Sequence, residues 1–113
     1  MQDFFTIRDK ALTENGASFQ VEINQQHHVF DGHFPGNPVL PGVVSMLMVR
    51  RCAENLLGIQ SYFNNVKDIK YLQTIIPDGR PLTVNVACAD KVVTAEIISA
   101  DGVAMMKMKG TLA

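Results

Sequence analysis

The stretch His27–Arg51 reads HHVFDGHFPGNPVLPGVVSMLMVRR and combines a proline-stiffened loop with a strongly apolar segment. Each of its three prolines fixes its own φ and restricts the residue before it, so the loop has few conformations available. Pro41 suits the first turn of a helix, where its missing N–H leaves no bond unmade. The pattern predicts a helix from Pro41 to about Leu57 that ends at Gly58 in the C′ position.

The loop and the helix together predict a binding or catalytic site. His33 is an imidazole held close to the predicted helix N-terminus, and Gly42 allows another molecule to approach the backbone closely. The free N–H groups of a helix N-terminus can receive an oxygen that carries negative charge. We therefore expect His33 and the N–H of Gly42 to act on the same ligand.

The segments on either side of this stretch predict strands joined by turns. Their expected bounds are 3–8, 17–23, 66–76, 82–88, 91–99 and 103–112. Apolar and polar residues alternate in 17–23 and 82–88, which indicates strands with one buried face. Asp101-Gly102 is a strong hairpin signal, and 43–49 is apolar on nearly every face apart from Ser45, which predicts an enclosed helix. Together these elements predict an α+β domain whose antiparallel sheet wraps around its helix.

Composition limits the class of protein. The chain has 113 residues, which is one domain (1–113), with 47% hydrophobic and 19% charged residues, as in globular proteins. The net charge of −1 and the absence of a basic run give no reason to expect nucleic-acid binding. Cys52 and Cys88 lack metal or redox spacing, so we expect buried, reduced thiols and a cytoplasmic protein. No signal pattern or membrane-spanning apolar run is predicted.

Three motifs carry a resemblance to a known family. They are Phe30 with Gly32-His33-Phe34-Pro35, the run Pro38-Val39-Leu40-Pro41-Gly42-Val43, and Ile75-Ile76-Pro77-Asp78-Gly79. In residues and spacing they resemble the 3-hydroxyacyl-acyl carrier protein dehydratases of fatty acid synthesis, within the hotdog-fold superfamily. The resemblance implies an antiparallel sheet of about five or six strands wrapped around one long central helix.

The resemblance also implies a reaction, the loss of water from a (3R)-3-hydroxyacyl thioester to give a trans-2-enoyl thioester, in fatty acid or related lipid or polyene biosynthesis. His33 would remove the C2 proton, since an imidazole with a pKa of about 6.5 is available as a base. The N–H of Gly42 would stabilise charge on the thioester oxygen. No cofactor is implied, because the substrate is carried on the phosphopantetheine of acyl carrier protein. The expected substrate-binding residues are Phe30, Phe34, Pro41, Val43, Met46 and Leu47.

Two positions depart from the family pattern, and the first of them affects the proposed reaction. The family carries a glutamate or aspartate five residues after the glycine that matches Gly42, and this chain has Leu47 there; four residues further on, Arg51 replaces a glutamine. Leu47 cannot protonate the departing hydroxyl. Glu54 lies seven residues beyond Leu47, about 10 Å along the helix axis and outside hydrogen-bond reach. A bound water, a proton returned by His33, or an acid from a partner subunit remain open.

Two functions of different class follow. The chain is either a dehydratase with a substitute proton donor, or a catalytically silent acyl-binding or scaffold subunit that partners a complete dehydratase. A hotdog acyl thioesterase is a weaker alternative, because those enzymes generally also carry a carboxylate on the helix. An open sheet edge and unfilled apolar surface predict a homodimer or a higher oligomer of dimers, or a heterodimer with a second dehydratase-like subunit.

Two further groups of charged or metal-binding residues have simple interpretations. His27, His28 and His33 are not expected to bind a metal, because adjacent histidines in a strand point to opposite faces and no suitably spaced carboxylate or cysteine completes a site. A set of five cationic side chains is expected to be solvated. The alternative is that they form a weak basic rim around the site that binds the acidic carrier protein. This set comprises Arg50, Arg51, Lys67, Lys70 and Arg80.

Overall fold

A computed structural model describes residues 4–25 and 39–113. Its elements are β1 (Phe5–Leu12), β2 (Gly16–Ile23), α1 (Gly42–Leu57), β3 (Phe63–Tyr71), β4 (Leu82–Ala89), β5 (Val92–Ile98) and β6 (Ala104–Leu112). The strands form one sheet in the order β1-β2-β4-β5-β6-β3, and all neighbouring pairs are antiparallel. The helix packs against β2, β4 and β5. Among the described residues, the predicted α+β architecture of one helix on an antiparallel sheet is confirmed.

The alternating strands supply the sheet side of the core. In β2 the buried positions are Ala17, Phe19, Val21 and Ile23, and every residue between them is partly exposed. In β4 the same alternation buries the apolar residues from Leu82 to Val86. Because side chains in a strand point to opposite faces in turn, one face of each strand packs against the helix.

The helix supplies the other side of the core and ends as predicted. Gly58 adopts the left-handed conformation with φ of 69°, and its N–H donates to the carbonyl oxygen of Glu54. The buried face contains Val44, Ser45, Met48, Val49, Cys52 and Ala53. The prediction of a fully enclosed first half is wrong for the chain by itself, because Val43 is 73% exposed.

The hairpin turns also follow the prediction. Asp90 and Lys91 join β4 to β5 with φ of 50° and 68°, as in a two-residue turn whose twist matches the strands. Gly102 has φ of 84° and donates its N–H to the carbonyl oxygen of Ser99, which closes the β5–β6 hairpin. These turns fix the register of the last three strands.

The two edge strands differ from their predicted bounds. β1 continues to Leu12 instead of ending at residue 8. The prediction for 66–76 is wrong at both ends, since β3 runs from Phe63 to Tyr71. Register shifts lie between Phe63 and Asn65 and between Val66 and Asp68, so the less exposed residues of β3 recur every third position. Such bulges remove the alternation that identifies a strand in sequence.

The two cysteines are free but unequally buried. Cys52 is fully buried on the helix, and this burial raises the pKa of its thiol to about 12. Cys88 is half-buried near the end of β4, which corrects the expectation that both thiols are buried. Within residues 4–25 and 39–113 no helix is long and apolar enough to span a membrane.

Candidate active site at the N-terminus of the helix

The first turn of α1 leaves two amide groups available. Pro41 is the N-cap residue, and its carbonyl oxygen accepts the N–H groups of Val44 at 3.0 Å and Ser45 at 3.1 Å. The Ser45 hydroxyl turns back and donates to the carbonyl oxygen of Gly42 at 2.8 Å, so it does not cap the N-terminus. Across the described residues, the N–H groups of Gly42 and Val43 have no backbone acceptor. Such groups can bind an oxygen with negative charge.

A tyrosine ring covers the same end of the helix. A Cβ atom built on Gly42 would lie 2.8 Å from Cζ, 2.9 Å from Oη and 3.0 Å from Cε1 of Tyr71. Any side chain at position 42 would therefore displace the ring. Ile69 and Tyr71 are two residues apart with no register shift between them, so both point to the helix side of the sheet.

The residue before the N-cap of the helix is fixed by a backbone hydrogen bond. The N–H of Leu40 donates to the carbonyl oxygen of Ile75 at 2.8 Å. Ile75 is buried and belongs to the connection between β3 and β4, which begins directly after Tyr71. The helix N-terminus is therefore contacted by the ring of Tyr71 at the end of β3 and by a backbone bond to the connection that follows it.

An apolar groove of about 330 Å³ runs beside the first half of α1. It is lined by Val43, Val44, Met46, Leu47, Arg50, Tyr62 and Phe63. Three of the predicted substrate-binding residues, Val43, Met46 and Leu47, thus lie together, while Pro41 is the N-cap residue of the helix and does not line the groove. No described lining residue carries a carboxylate, so Leu47 is not replaced by a nearby acid from the lining of this groove.

Glu54 and Arg50 have distinct surroundings further along the helix. The Glu54 carboxylate accepts the backbone N–H of Ser61 at 2.8 Å, which makes it part of the connection after α1. Arg50 lines the groove beside Leu47, and its Nε is buried without a hydrogen-bond partner among the described residues. A buried guanidinium N–H without a partner is costly, so an acceptor from outside the described part of the chain would stabilise it.

The predicted cations do not all remain free. Arg80 forms a two-point ion pair with Asp101, with nitrogen–oxygen distances of 2.7 Å and 3.1 Å. The hydrogen bonds and the charge of Asp101 raise the pKa of Arg80, and those of Arg80 lower the pKa of Asp101. Lys67 and Lys70 are exposed on β3. A basic rim for an acidic partner therefore stays a prediction, without Arg80 as a free member.

Several predicted site residues lie outside the described part of the chain. They are Phe30, His33 and Phe34, and His27 and His28, which are not expected to bind a metal, lie outside it as well. Their roles stay predictions, including that of His33 as the base. Within residues 4–25 and 39–113, no three His, Cys, Asp or Glu side chains are grouped to hold a metal ion.

Three residues that the structure places at the site are absent from the predicted site. Tyr71 lies over Gly42, and Tyr62 and Arg50 line the groove next to Leu47. Tyr71 lies two residues after Ile69, which is the spacing of side chains on one face of a strand. Because of the bulges earlier in β3, however, the sequence does not show which face the two residues occupy. Arg50 was treated as a solvated charge, because periodicity does not show that its Nε is buried.

Comparison with known proteins identifies relatives by sequence. A family model described as ApeI-like, ApeI dehydratase, matches residues 9–109. The 3-hydroxyacyl-[acyl-carrier-protein] dehydratase FabZ of Oenococcus oeni is 35% identical over 77 residues, covering 62% of this chain and 53% of that protein. FabZ of Latilactobacillus sakei is 41% identical over 73 residues, covering 58% and 50%. The chain thus spans about half the length of the curated relatives it matches.

Comparison with solved structures identifies the fold. A chain of the dehydratase heterocomplex ApeI:P from Xenorhabdus doucetiae superposes with a TM-score of 0.82, at 22% identity and 96% coverage of both chains. A hypothetical thioesterase from Streptococcus pneumoniae, solved with coenzyme A, gives a TM-score of 0.65 at 14% identity, covering 98% of this chain and 88% of that one. The predicted hotdog fold and the resemblance to the dehydratases are confirmed.

Proposed function

The chain belongs to the ApeI-like dehydratase family, and we propose that it dehydrates (3R)-3-hydroxyacyl thioesters on acyl carrier protein to trans-2-enoyl thioesters. The observation that carries the proposal is the available N–H pair of Gly42 and Val43 at the start of a helix beside an apolar groove. An acyl thioester has the two matching parts, an oxygen that gains negative charge and a hydrocarbon chain.

The proposed reaction divides its work between two residues. His33 removes a proton from C2, and the electron pair moves toward the thioester carbonyl, whose oxygen becomes negatively charged. The N–H of Gly42 donates to that oxygen, with the positive end of the helix dipole behind it. The C3–O bond then breaks, and the departing oxygen needs a proton to leave as water.

The groove gives the acyl chain a place to lie. Its volume of about 330 Å³ is at the lower end of the range for small-molecule sites, and Val43, Met46 and Leu47 offer apolar contacts along the helix. Each methylene that leaves water contributes about 0.8 kcal/mol. Leu47 is therefore suited to binding the chain even though it cannot supply a proton.

We further propose that a second subunit covers this groove. Val43 is 73% exposed, Arg50 Nε lacks an acceptor among the described residues, and β3 is an edge strand of the sheet. A partner subunit would bury Val43, accept a hydrogen bond from Nε of Arg50 and extend the sheet at β3. The partner is a copy of this chain or a related dehydratase subunit, and the Xenorhabdus doucetiae relative, which is a heterocomplex, supports a partnered arrangement.

A silent acyl-binding or scaffold subunit is the second candidate. The observation in its favour is Leu47, together with the lack of a carboxylate among the described residues of the groove. The thioesterase alternative is weaker, because its support is a structural likeness at 14% identity, which reflects the fold.

A turnover assay tests the proposed function. Purified protein is incubated with a 3-hydroxyacyl thioester on acyl carrier protein, and the enoyl chromophore is followed. We expect turnover that His33→Ala reduces to background, and a rise of about 10² or more in Leu47→Glu would show that the wild type is limited by the lack of a general acid. A wild type that is inert alone but raises the activity of an added dehydratase would favour the silent subunit.

A further inference from the structure

We propose that Tyr71 donates the proton to the departing 3-hydroxyl group, the step for which this chain has Leu47 where the family has an acid on the helix. The proposal rests on the proposed dehydratase function and names the residue that completes it. Tyr71 is not part of any sequence motif described above, and the geometry of the helix N-terminus alone points to it.

The position of the ring carries the proposal. Oη of Tyr71 lies 2.9 Å from the point where a Cβ atom would stand on Gly42, whose N–H is the predicted donor to the thioester oxygen. On the substrate, the carbonyl and hydroxyl oxygens are attached to carbons separated by one carbon. A donor beside Gly42 is therefore near the 3-oxygen when the carbonyl oxygen is bound at the helix.

The hydroxyl of Tyr71 is free to donate. Among the described residues no side-chain hydrogen bond uses it, although phenols normally find a partner when they are buried. The residue is 52% exposed, so solvent can reach it and return a proton after each turnover. Partial burial raises the pKa of Tyr71 above its ordinary value, so the hydroxyl stays protonated at neutral pH.

The step balances without a further reactant. The C2 proton moves to the base, the C2–H electron pair forms the C2=C3 double bond, and the C3–O bond breaks with its electrons on oxygen. That oxygen takes the proton of Tyr71 and leaves as water. The phenolate then regains a proton from solvent, and the base loses one to solvent.

Asp68 provides a control on the same strand. It is exposed on β3, three residues before Tyr71, and does not line the groove. We expect Tyr71→Phe, which keeps the ring, to lower kcat on a 3-hydroxyacyl thioester by about 10² or more with little change in KM. Asp68→Asn should change kcat by less than about threefold.

A second substrate separates proton donation from other roles of the ring. A 3-acetoxyacyl thioester loses acetate, which needs no proton to leave. We expect Tyr71→Phe to eliminate acetate at close to the wild-type rate. An equal loss on both substrates would make Tyr71 an oxyanion donor or a structural residue, and no loss on either would remove it from the mechanism; both results overturn the proposal.

A binding experiment adds a readout that does not depend on turnover. The chain has no tryptophan, so Tyr62→Phe leaves Tyr71 as the single phenol that ultraviolet absorbance detects. We expect an unreactive 3-hydroxyacyl amide analogue to shift the titration of Tyr71, and an unchanged titration at saturating analogue would contradict the proposal. If the wild type turns over neither thioester, the proposed function is wrong. If the wild type is active and Tyr71→Phe turns over the 3-hydroxyacyl thioester equally fast, only the assignment of Tyr71 is wrong.

Discussion

The backbone N–H of Leu40 donates a 2.8 Å hydrogen bond to the carbonyl oxygen of Ile75. This bond joins the residue before the N-cap of the helix to the connection between β3 and β4, which begins directly after Tyr71. The two most distinctive stretches of the sequence are therefore in contact. As a result, one connection positions both the backbone at the helix N-terminus and the ring that covers Gly42.

The first prediction concerns Gly42→Ala. The backbone there is helical, so alanine suits it and would change the free energy of unfolding by no more than about 1 kcal/mol. The new Cβ would stand 2.8 Å from Cζ of Tyr71, and the ring must move. We expect kcat/KM on a 3-hydroxyacyl thioester to fall by about 10², as for a reacting group displaced by about 1 Å.

The control for this prediction is the same substitution in a Tyr71→Ala background. Without the ring there is no contact to relieve, so Gly42→Ala should then raise the melting temperature or leave it unchanged. Full activity of the single variant Gly42→Ala would show that the ring does not occupy its place over the helix during turnover.

The second prediction assigns Glu54 a structural role. Its carboxylate accepts the N–H of Ser61, and Glu54→Ala leaves that partly buried donor unpaired at a cost of about 1–2 kcal/mol in unfolding free energy. Turnover should stay near the wild-type rate. Glu54→Gln keeps an acceptor oxygen and should recover most of the stability in urea denaturation. A normal fold with lost turnover in both variants would instead make Glu54 the missing acid.

The third prediction is a pH dependence at the β5–β6 hairpin. Arg80 lowers the pKa of Asp101 below 3.8, so the ion pair stabilises the fold fully above that pH. The contribution is lost as the pH falls through the lower folded-state value. We expect wild type to be more stable than Asp101→Asn at neutral pH and the difference to shrink below pH 3.8. Because the side chains of Arg80 and Asp101 are 53% and 67% exposed, added salt should also reduce this difference in stability. A difference that persists in acid would contradict a stabilising role for the ion pair.

Local patterns in the sequence predicted the parts of the fold that local forces determine. The alternation of Phe19 and Val21 with polar residues identified β2, and Gly58 identified the end of the helix. Gly102 identified the last hairpin. In each case one or two residues suffice, because burial on one face or a positive φ is a property of the chain nearby.

The site was predicted only in part, because its remaining members come from distant positions. A motif singles out Gly42, and a departure from its pattern singles out Leu47. Gly42 begins the helix and Leu47 lines the groove beside it, while the roles of both stay predictions. Tyr71 reaches the site from a strand whose bulges break the alternation. The exposure of Val43 depends on what covers the helix, and the sequence of one chain does not contain that information.

The last prediction concerns association through the groove. Val43 is 73% exposed on the groove side of the helix, and Leu12 is 74% exposed at the end of β1, the opposite edge strand. The experiment compares the variants Val43→Asp and Leu12→Asp. An aspartate in the first turn of a helix stabilises the helix, so Val43→Asp should fold normally as a single chain. If a partner buries Val43, the variant forfeits about 1.5–3 kcal/mol and places a charge in the interface, which weakens association by about tenfold or more. Leu12→Asp should associate as wild type does in sedimentation equilibrium, and equal effects of the two variants would rule out the groove as the contact surface.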